Sequence, residues 1–239
     1  MRRFLFWSLC FCLLFPVGLS SCDGSDSAAV IFGGTTGKLT WTLTEDGVLT
    51  ITGEGPMPDY RDGGTSETPP WYPHVNRISS LTIGEGVTRI GDYAFMLCSF
   101  VTKVVIPESV TSMGDWAFIA CTGLQEAYIG DGVTEIAAKA FAECTALKTV
   151  VIGKSIQRIG DQAFNTRSSW DQMTLEKITV LFDDIASGSF PVLESGSRGV
   201  FPKPGGWDLV SYKIYVPKGT KAEYQKNWSD YSSLIVEMQ

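Results

Sequence analysis

The chain has one histidine among its 239 residues, His74, which lies just after the proline- and aromatic-rich stretch 69–73. No hydrolase-like serine or cysteine motif accompanies it. A catalytic triad needs a nucleophile, a general base and a group that orients the base. The sequence offers no such set, and it has no Cys-x-x-Cys or histidine-rich spacing that would hold a metal. We therefore expect a structural His74, no enzyme activity, no metal and no cofactor.

Positive charge is also scarce. The chain carries 19 lysines and arginines against 26 acidic residues, a formal net charge of −7, and it has no basic run. Proteins bind nucleic acid mainly by replacing the counterions of phosphates with Lys and Arg side chains. Nucleic acid is therefore excluded as a main partner, while an apolar content of 44% is ample for a folded core.

Apolar runs are short, and the one near the N-terminus has a specific context. Arg2 and Arg3 precede an apolar stretch over 4–15, which is shorter than the about 20 residues that a membrane-spanning helix needs. Basic residues, a short apolar stretch and then small residues are typical of an export signal. We predict such a signal peptide over residues 1–21.

The predicted signal ends in Leu19-Ser20-Ser21-Cys22, which resembles the lipobox of bacterial lipoproteins. The resemblance implies that Cys22 becomes a lipidated N-terminus, anchored at the outer membrane without spanning it. The alternative is an ordinary secretory signal with a chance cysteine. Residues 22–36 begin with small, polar and acidic side chains and are predicted to be a flexible tether. Within it, 26–28 resembles an O-glycosylation acceptor of Gram-negative anaerobes, which implies a sugar on Ser27.

The sequence is rich in repetition at an interval of 23 residues. The pair Ala-Phe recurs as Ala94-Phe95, Ala117-Phe118, Ala140-Phe141 and Ala163-Phe164. Before each pair, apolar residues alternate in two short stretches separated by a turn, which predicts two short β-strands per repeat. One such unit cannot bury its apolar face alone, so neighbouring units must stack. We predict a β-rich solenoid with coils of 23 residues and a long exposed surface.

The repeats resemble the BspA-like leucine-rich repeats of bacterial surface proteins, whose Gly-Asp-x-Ala-Phe corner is followed by Cys. The resemblance implies a leucine-rich-repeat solenoid over 81–181, preceded by a capping β-hairpin and loop over 37–80. It also implies an irregular last coil and a C-terminal cap over 182–239. Solenoids need atypical ends because an exposed last coil would show apolar surface and an open strand edge. The third copy departs from the pattern, with Ala137-Ala138 in place of Gly-Asp.

Three cysteines occupy the same position in successive repeats: Cys98, Cys121 and Cys144. Stacking of coils about 4.8 Å apart would align them in a ladder. The spacing and an oxidising compartment would permit a disulfide, but side chains on stacked coils point the same way rather than at each other. We therefore predict buried free thiols.

Two surfaces are candidates for binding. Residues between inward-pointing neighbours on the first strand of each repeat should face outward in one row: Thr82, Val105, Tyr128, Val151 and Thr179. The variable corner position, occupied by Tyr93, Trp116, Lys139 and Gln162, is the second candidate. Tyrosine is a common interface anchor, and adjacent aromatic rings can stack on a sugar or a protein. The alternative for both surfaces is an ordinary β-rich exterior.

Three functions follow from these features. The first is a lipid-anchored surface protein that binds a protein on a host or bacterial surface; its adhesive part is implied by the family resemblance. The second is a glycan-binding accessory protein at the outer membrane, with the aromatic corners on the sugar. The third is a secreted hydrolase that uses paired turn carboxylates, which we disfavour because those acids vary between repeats and resemble solvated corners.

Overall fold

The computed structural model describes residues 28–62, 67–166, 174–184, 190–194, 199–202 and 212–239. The predicted signal peptide, lipid attachment at Cys22 and glycosylation at Ser27 lie outside the described residues. Among the described residues, no helix is both long and apolar enough to cross a bilayer.

Short strands dominate the fold. In chain order they are β1 (Val30–Thr36), β2 (Leu39–Thr44), β3 (Val48–Gly53), β4 (Gly55–Pro56), β5 (Ser80–Ile83), β6 (Val87–Ile90), β7 (Lys103–Ile106), β8 (Ser112–Met113), β9 (Glu126–Ile129), β10 (Glu135–Ile136), β11 (Thr149–Ile152), β12 (Arg158–Ile159), β13 (Lys177–Val180), β14 (Val192–Leu193), β15 (Lys213–Val216) and β16 (Ile235–Glu237). A 3-10 helix spans Tyr72–Arg77 between β4 and β5. Helix α1 (Lys221–Asn227) and a second 3-10 helix, Ser229–Leu234, lie between β15 and β16.

These strands form three sheets. In the N-terminal sheet, β1, β2 and β3 are antiparallel, and β5 joins β3 in parallel. The back sheet is parallel, in the order β4-β6-β8-β10-β12-β14, and the front sheet is parallel, in the order β7-β9-β11-β13-β15-β16. Each repeat after the first therefore contributes one strand to the front sheet and one to the back sheet, which is the arrangement of a leucine-rich-repeat solenoid.

The alternation of side chains explains why the two sheets enclose one core. In β7, Val104 and Ile106 are buried while Lys103 and Val105 are exposed, and neighbouring strands repeat this pattern. The parallel register pairs Lys103 with Glu126 and Glu126 with Thr149, 23 residues apart in each case. Apolar positions of successive repeats therefore align and bury one another.

A stack of aromatic rings, the core column, runs through the interior from one repeat to the next. Its members are Trp71, Phe95, Phe118, Phe141, Phe164 and Phe201, with neighbouring centroids 5.0 to 5.6 Å apart. All of these side chains are at most 2% exposed. The small alanine before each repeated phenylalanine is also buried and leaves room for the ring.

The corner before each phenylalanine has an unusual backbone. Among the described residues, seven that are not glycine adopt φ between 53° and 61°: Tyr93, Trp116, Lys139 and Gln162 before the phenylalanine, and Leu97, Ala120 and Glu143 after it. A left-handed conformation costs an L-residue about 1–2 kcal/mol. It is accompanied here by hydrogen bonds between repeats, since the amides of Tyr93 and Trp116 donate to the carbonyls of Asp115 and Ala138, each at 3.1 Å. These bonds offset the strain.

The structure corrects one prediction about the ends of the solenoid. Residues 30–36 are not part of a flexible tether, because they form β1 and pair with β2. This segment is uncharged and contains β-branched and aromatic side chains, which favour a strand. Beyond 181, in the range predicted to hold an irregular last coil and a cap, β14 extends the back sheet and β15 extends the front sheet. Longer connections between these strands conceal the period in the sequence.

Candidate binding surfaces

The outward row predicted on the first strands is present on the front sheet. Val105 pairs with Tyr128, which pairs with Val151, so their side chains are neighbours on one surface. Thr82 lies on β5 in the N-terminal sheet and is exposed, and β5 lies against β7. Val105 is 54% exposed, an unusual value for an apolar residue in the middle of a strand.

Thr179 departs from the prediction. It holds the expected register, between Val151 and Tyr215, but it is only 8% exposed. Tyr215 carries a much larger side chain than threonine, and the Lys177 side chain, two residues before Thr179 on the same strand, reaches the Tyr215 ring. The Thr179 side chain therefore lies below the surface that they form. Tyr215 takes its place as a half-buried member of the row. We name the surface formed by Thr82, Val105, Tyr128, Val151 and Tyr215 the front face.

Charged side chains border the front face and hold its two tyrosines. The Lys103 amine lies 4.5 Å from the Tyr128 ring centroid, and the Lys177 amine lies 5.0 Å from that of Tyr215. Glu126 accepts a hydrogen bond from the Tyr128 hydroxyl at 3.2 Å and lies 3.7 Å from the Lys103 amine. Such contacts limit the rotamers of both tyrosines, so less side-chain entropy would be lost on binding.

The corner residues form a second column, outside the core, which we name the corner column. Tyr93 and Trp116 stack with centroids 6.1 Å apart and planes 8° from parallel, and the Lys139 amine lies 4.2 Å from the Trp116 ring centroid. Gln162 continues the position in the next repeat, where its amide bonds to the carbonyl of Gly199. These corner residues share a left-handed backbone, and their side chains point outward. The alternation of apolar and polar residues in the sequence does not predict this direction.

An open pocket of about 760 Å³ lies where the corner column meets the N-terminal sheet. We name it the N-terminal pocket. Its lining includes Thr35 from β1, Asp59 and Arg61 from the loop after β4, and Asp92 and Tyr93 from the first corner. The sequence prediction missed this pocket, because its residues come from segments that are distant in the chain.

Ion pairs organise the carboxylates of this pocket. Arg89 contacts Asp59 and also lies 3.3 Å from Asp92, and Arg61 lies 2.7 Å from Glu67. Burial raises the pKa of Asp59, but hydrogen bonds from the Asp92 amide and from Arg89 outweigh it, so this pKa lies below its usual value. Burial and the nearby Asp59 raise the pKa of Asp92.

Comparison with known proteins agrees with this geometry. The sequence model described as the BspA type leucine rich repeat region matches residues 72–190 in six copies. The chain belongs to the BspA-type leucine-rich-repeat family. The resemblance found over 81–181 is thereby confirmed, and the matched range extends beyond it at both ends.

Solved structures show the same repeat fold. A leucine-rich repeat protein from Eubacterium ventriosum is 28% identical, with 79% of this chain and 44% of that one covered and a TM-score of 0.56. The pneumococcal vaccine antigen PcpA is 16% identical, with 83% of this chain and 46% of that one covered and a TM-score of 0.56, which shows the fold alone. This chain spans less than half of either protein. Among curated proteins, none matches it.

The three cysteines of these BspA-type repeats are free and at most 1% exposed. The Cys121 thiol donates to the carbonyl of Phe95 at 3.1 Å, and the Cys144 thiol donates to that of Phe118 at 3.2 Å. Burial raises the pKa of the Cys98 and Cys144 thiols well above the usual value. The Cys98 and Cys144 thiols therefore stay protonated, and all three buried cysteines pack as small apolar side chains.

His74, the single histidine, lies away from both candidate surfaces in the first 3-10 helix. Its ring stacks on Phe32 of β1, with centroids 3.7 Å apart. Burial and the adjacent Arg77 lower its pKa. These contacts fit a structural role in holding β1 against the helix.

The departure at Ala137-Ala138 has a local consequence on the back sheet. A shallow depression of about 470 Å³ lies beside these alanines, where an aspartate would otherwise project. Arg158 crosses it, contacting Glu135 and lying 2.6 Å from Glu194. Arg158 and these two glutamates are thus paired within the protein. This part of the back sheet is therefore less suited to a charged partner than the front face.

Proposed function

We propose that this chain is a bacterial cell-surface protein, lipid-anchored at the outer membrane, that binds a protein partner through its front face. Membership of a family of bacterial surface repeat proteins supports the location. The observation that carries the binding role is the front face itself, where exposed Val105 and partly exposed Tyr128 and Val151 are neighbours. Partly exposed Tyr215 follows beyond the recessed Thr179. Rigid aromatic and aliphatic anchors of this kind dominate the energetics of protein interfaces.

The charge around the row indicates the chemistry of the partner. The first residue of each front-sheet strand borders the row. It is a lysine in β7, β13 and β15 (Lys103, Lys177 and Lys213) and an acid in β9 (Glu126). This excess of positive charge is confined to one edge of the row, because Glu108, Asp131 and Asp183 lie near Lys154 just past the opposite ends of β7, β9 and β13. We infer a partner surface that combines apolar residues with acidic ones, so binding should weaken as salt concentration rises.

Replacing Tyr128 with serine should weaken binding to such a partner about tenfold or more, because an anchor ring is lost while the solvent-facing strand keeps its backbone pairing. We would measure the full-length protein in detergent by surface plasmon resonance on immobilised collagen, laminin and fibronectin. Val192→Ser, at an exposed apolar position on the back sheet, is the control and should bind normally. Saturable binding that survives Tyr128→Ser and Tyr215→Ser together would refute the front-face assignment.

Lipid anchoring at Cys22 is the second part of the proposal. Two or three acyl chains hold a protein durably on a membrane, whereas one binds only marginally. Inhibiting lipoprotein signal peptidase should therefore cause the precursor to accumulate, and Cys22→Ser should release the protein from the membrane fraction. Normal maturation in the presence of the inhibitor would instead establish an ordinary secretory signal.

The ends of the solenoid complete the proposal. We propose that the 23-residue coil is the structural unit, that the N-terminal sheet caps its first coil, and that the segment from β15 to β16 caps its last. At the first end, Trp71 links the N-terminal sheet to Phe95. At the other, Tyr231 packs on Phe201, with ring centroids 5.5 Å apart, so the core column ends inside the protein.

A further inference from the structure

We infer that the N-terminal pocket binds a neutral sugar ring, stacked on the exposed face of Tyr93. This site is separate from the front face and does not depend on the protein-binding role proposed for it. The pocket holds about 760 Å³, which is within the usual range for small-ligand sites. Three features of the described residues lead to this inference: an open aromatic face, a mixed set of hydrogen-bonding groups, and paired charges.

The corner column ends at Tyr93 for a structural reason. Tyr60 occupies the equivalent place before it, since the Tyr60 amide bonds to the Asp92 carbonyl at 3.0 Å just as the Tyr93 amide bonds to that of Asp115. Tyr93 has a φ of 53° and points outward, whereas Tyr60 does not adopt the left-handed conformation and is buried. The Tyr60 hydroxyl pairs instead with that of Thr36, at 2.5 Å, and its ring packs edge-on against Trp71.

This change of direction leaves one face of the half-buried Tyr93 ring without a stacked ring among the described residues. Trp116 covers the face toward the next repeat, and none of the rings in the described residues stacks on the other face. Tyr93 also lines the N-terminal pocket, which Trp116 does not. The face of Tyr93 that has no stacked ring therefore lies toward the pocket. A further ring of the corner column would occupy this place. The apolar C–H face of a pyranose suits such a position, because it can stack on an aromatic ring.

The groups around that ring suit a polyhydroxyl ligand. Asp59 and Asp92 offer carboxylate acceptors, Arg61 offers guanidinium donors, and the Thr35 hydroxyl can both donate and accept. A sugar presents donors and acceptors alternately around an apolar ring, so it needs both kinds of partner. A purely apolar ligand would displace the water bound to these groups and would offer no hydrogen bonds in its place.

The charges favour a neutral ligand over an ionic one. The three carboxylates that line the pocket, Asp59, Glu67 and Asp92, all have an arginine partner. A cation would therefore have to compete with Arg61 or Arg89. An anion would meet three carboxylates around a single lining arginine. An uncharged ring with hydroxyl groups avoids both costs.

Saturation-transfer difference NMR on the full-length protein in detergent micelles tests the inference. The probes are the methyl glycosides of glucose, galactose, mannose, fucose and N-acetylglucosamine, with methyl sialoside as the anionic probe and Nα-acetyl-lysine methylamide as the cationic one. At least one neutral glycoside should receive saturation on its ring protons. The variant Tyr93→Asn should weaken its binding about tenfold, because the stacking surface is lost.

The variants separate stacking from folding. Asparagine tolerates positive φ, so Tyr93→Asn should keep the corner backbone, and Tyr93→Phe should retain binding because the ring remains. Tyr128→Ser, on the front face, should leave sugar binding unchanged whatever becomes of the protein-binding role. Binding of only the charged probes, binding that Tyr93→Asn does not weaken, or silence across the neutral glycosides would each overturn the inference.

Discussion

Replacing Phe141 with alanine is expected to lower the free energy of unfolding by about 3–5 kcal/mol. The ring is fully buried between Phe118, at 5.0 Å, and Phe164, at 5.3 Å. The space left by the ring cannot close easily, because the Phe118 and Phe141 amides are held to carbonyls of the next repeat at 2.8 Å. Guanidinium denaturation followed by circular dichroism measures the change.

Phe100 provides a matched control for this substitution. It lies in the same group of repeats but is 59% exposed, so Phe100→Ala should change the free energy of unfolding by no more than about 0.5 kcal/mol. If both variants lost the same small amount of stability, the core column would not be the element that holds the repeats together. Solenoids can lose two-state behaviour, so the transition should be followed by two probes.

Replacing Trp71 with alanine should be as damaging as the change at Phe141. Trp71 is fully buried and joins the N-terminal sheet to the first repeat, with ring contacts to Trp41, Tyr60 and Phe95. Its indole nitrogen also donates to the carbonyl of Ala94 at 2.8 Å. We expect a loss of about 3–5 kcal/mol, together with faster hydrogen exchange in β2 and β3 than in β9 and β11.

Trp71→Phe separates the two contributions at this position. It keeps a ring in the core column but leaves the Ala94 carbonyl without its donor, which should cost about 1–3 kcal/mol. A Trp71→Ala variant that is no less stable than Trp71→Phe would show that the indole acts only through its hydrogen bond. Uniform hydrogen exchange across both sheets would show that the N-terminal sheet does not unfold as a separate unit.

Much of the fold can be predicted because the repeat makes local patterns consistent with one another. Alternation alone indicates that Val104 and Ile106 face inward while Val105 faces outward, and the same holds two repeats later for Val150 and Val151. The family can likewise be recognised from the corner motif. Such features depend on side-chain type and spacing within one repeat, so they are visible in the chain.

The errors occur where contacts between distant segments override local pattern. Thr179 has the correct spacing for the front face, but the side chains of its neighbours on adjacent strands bury it. Residues 30–36 follow an acidic segment and look like its continuation, yet pairing with β2 makes them a strand. The strands of the predicted last coil beyond 181 could not be placed from the sequence, because their separation no longer matches the period.

The sequence by itself determined the repeating unit, the inward and outward positions of its strands, the burial of the cysteines and the family. Only the tertiary structure decided that Tyr93 presents a free ring face while Tyr60 turns inward. The direction of a corner side chain depends on the sign of its φ angle. Neither residue type nor the bond to the next repeat fixes that sign, since both corners hold a tyrosine whose amide bonds to the equivalent carbonyl. What differs is the contact of Tyr60 with Thr36 and Trp71, which come from other segments of the chain.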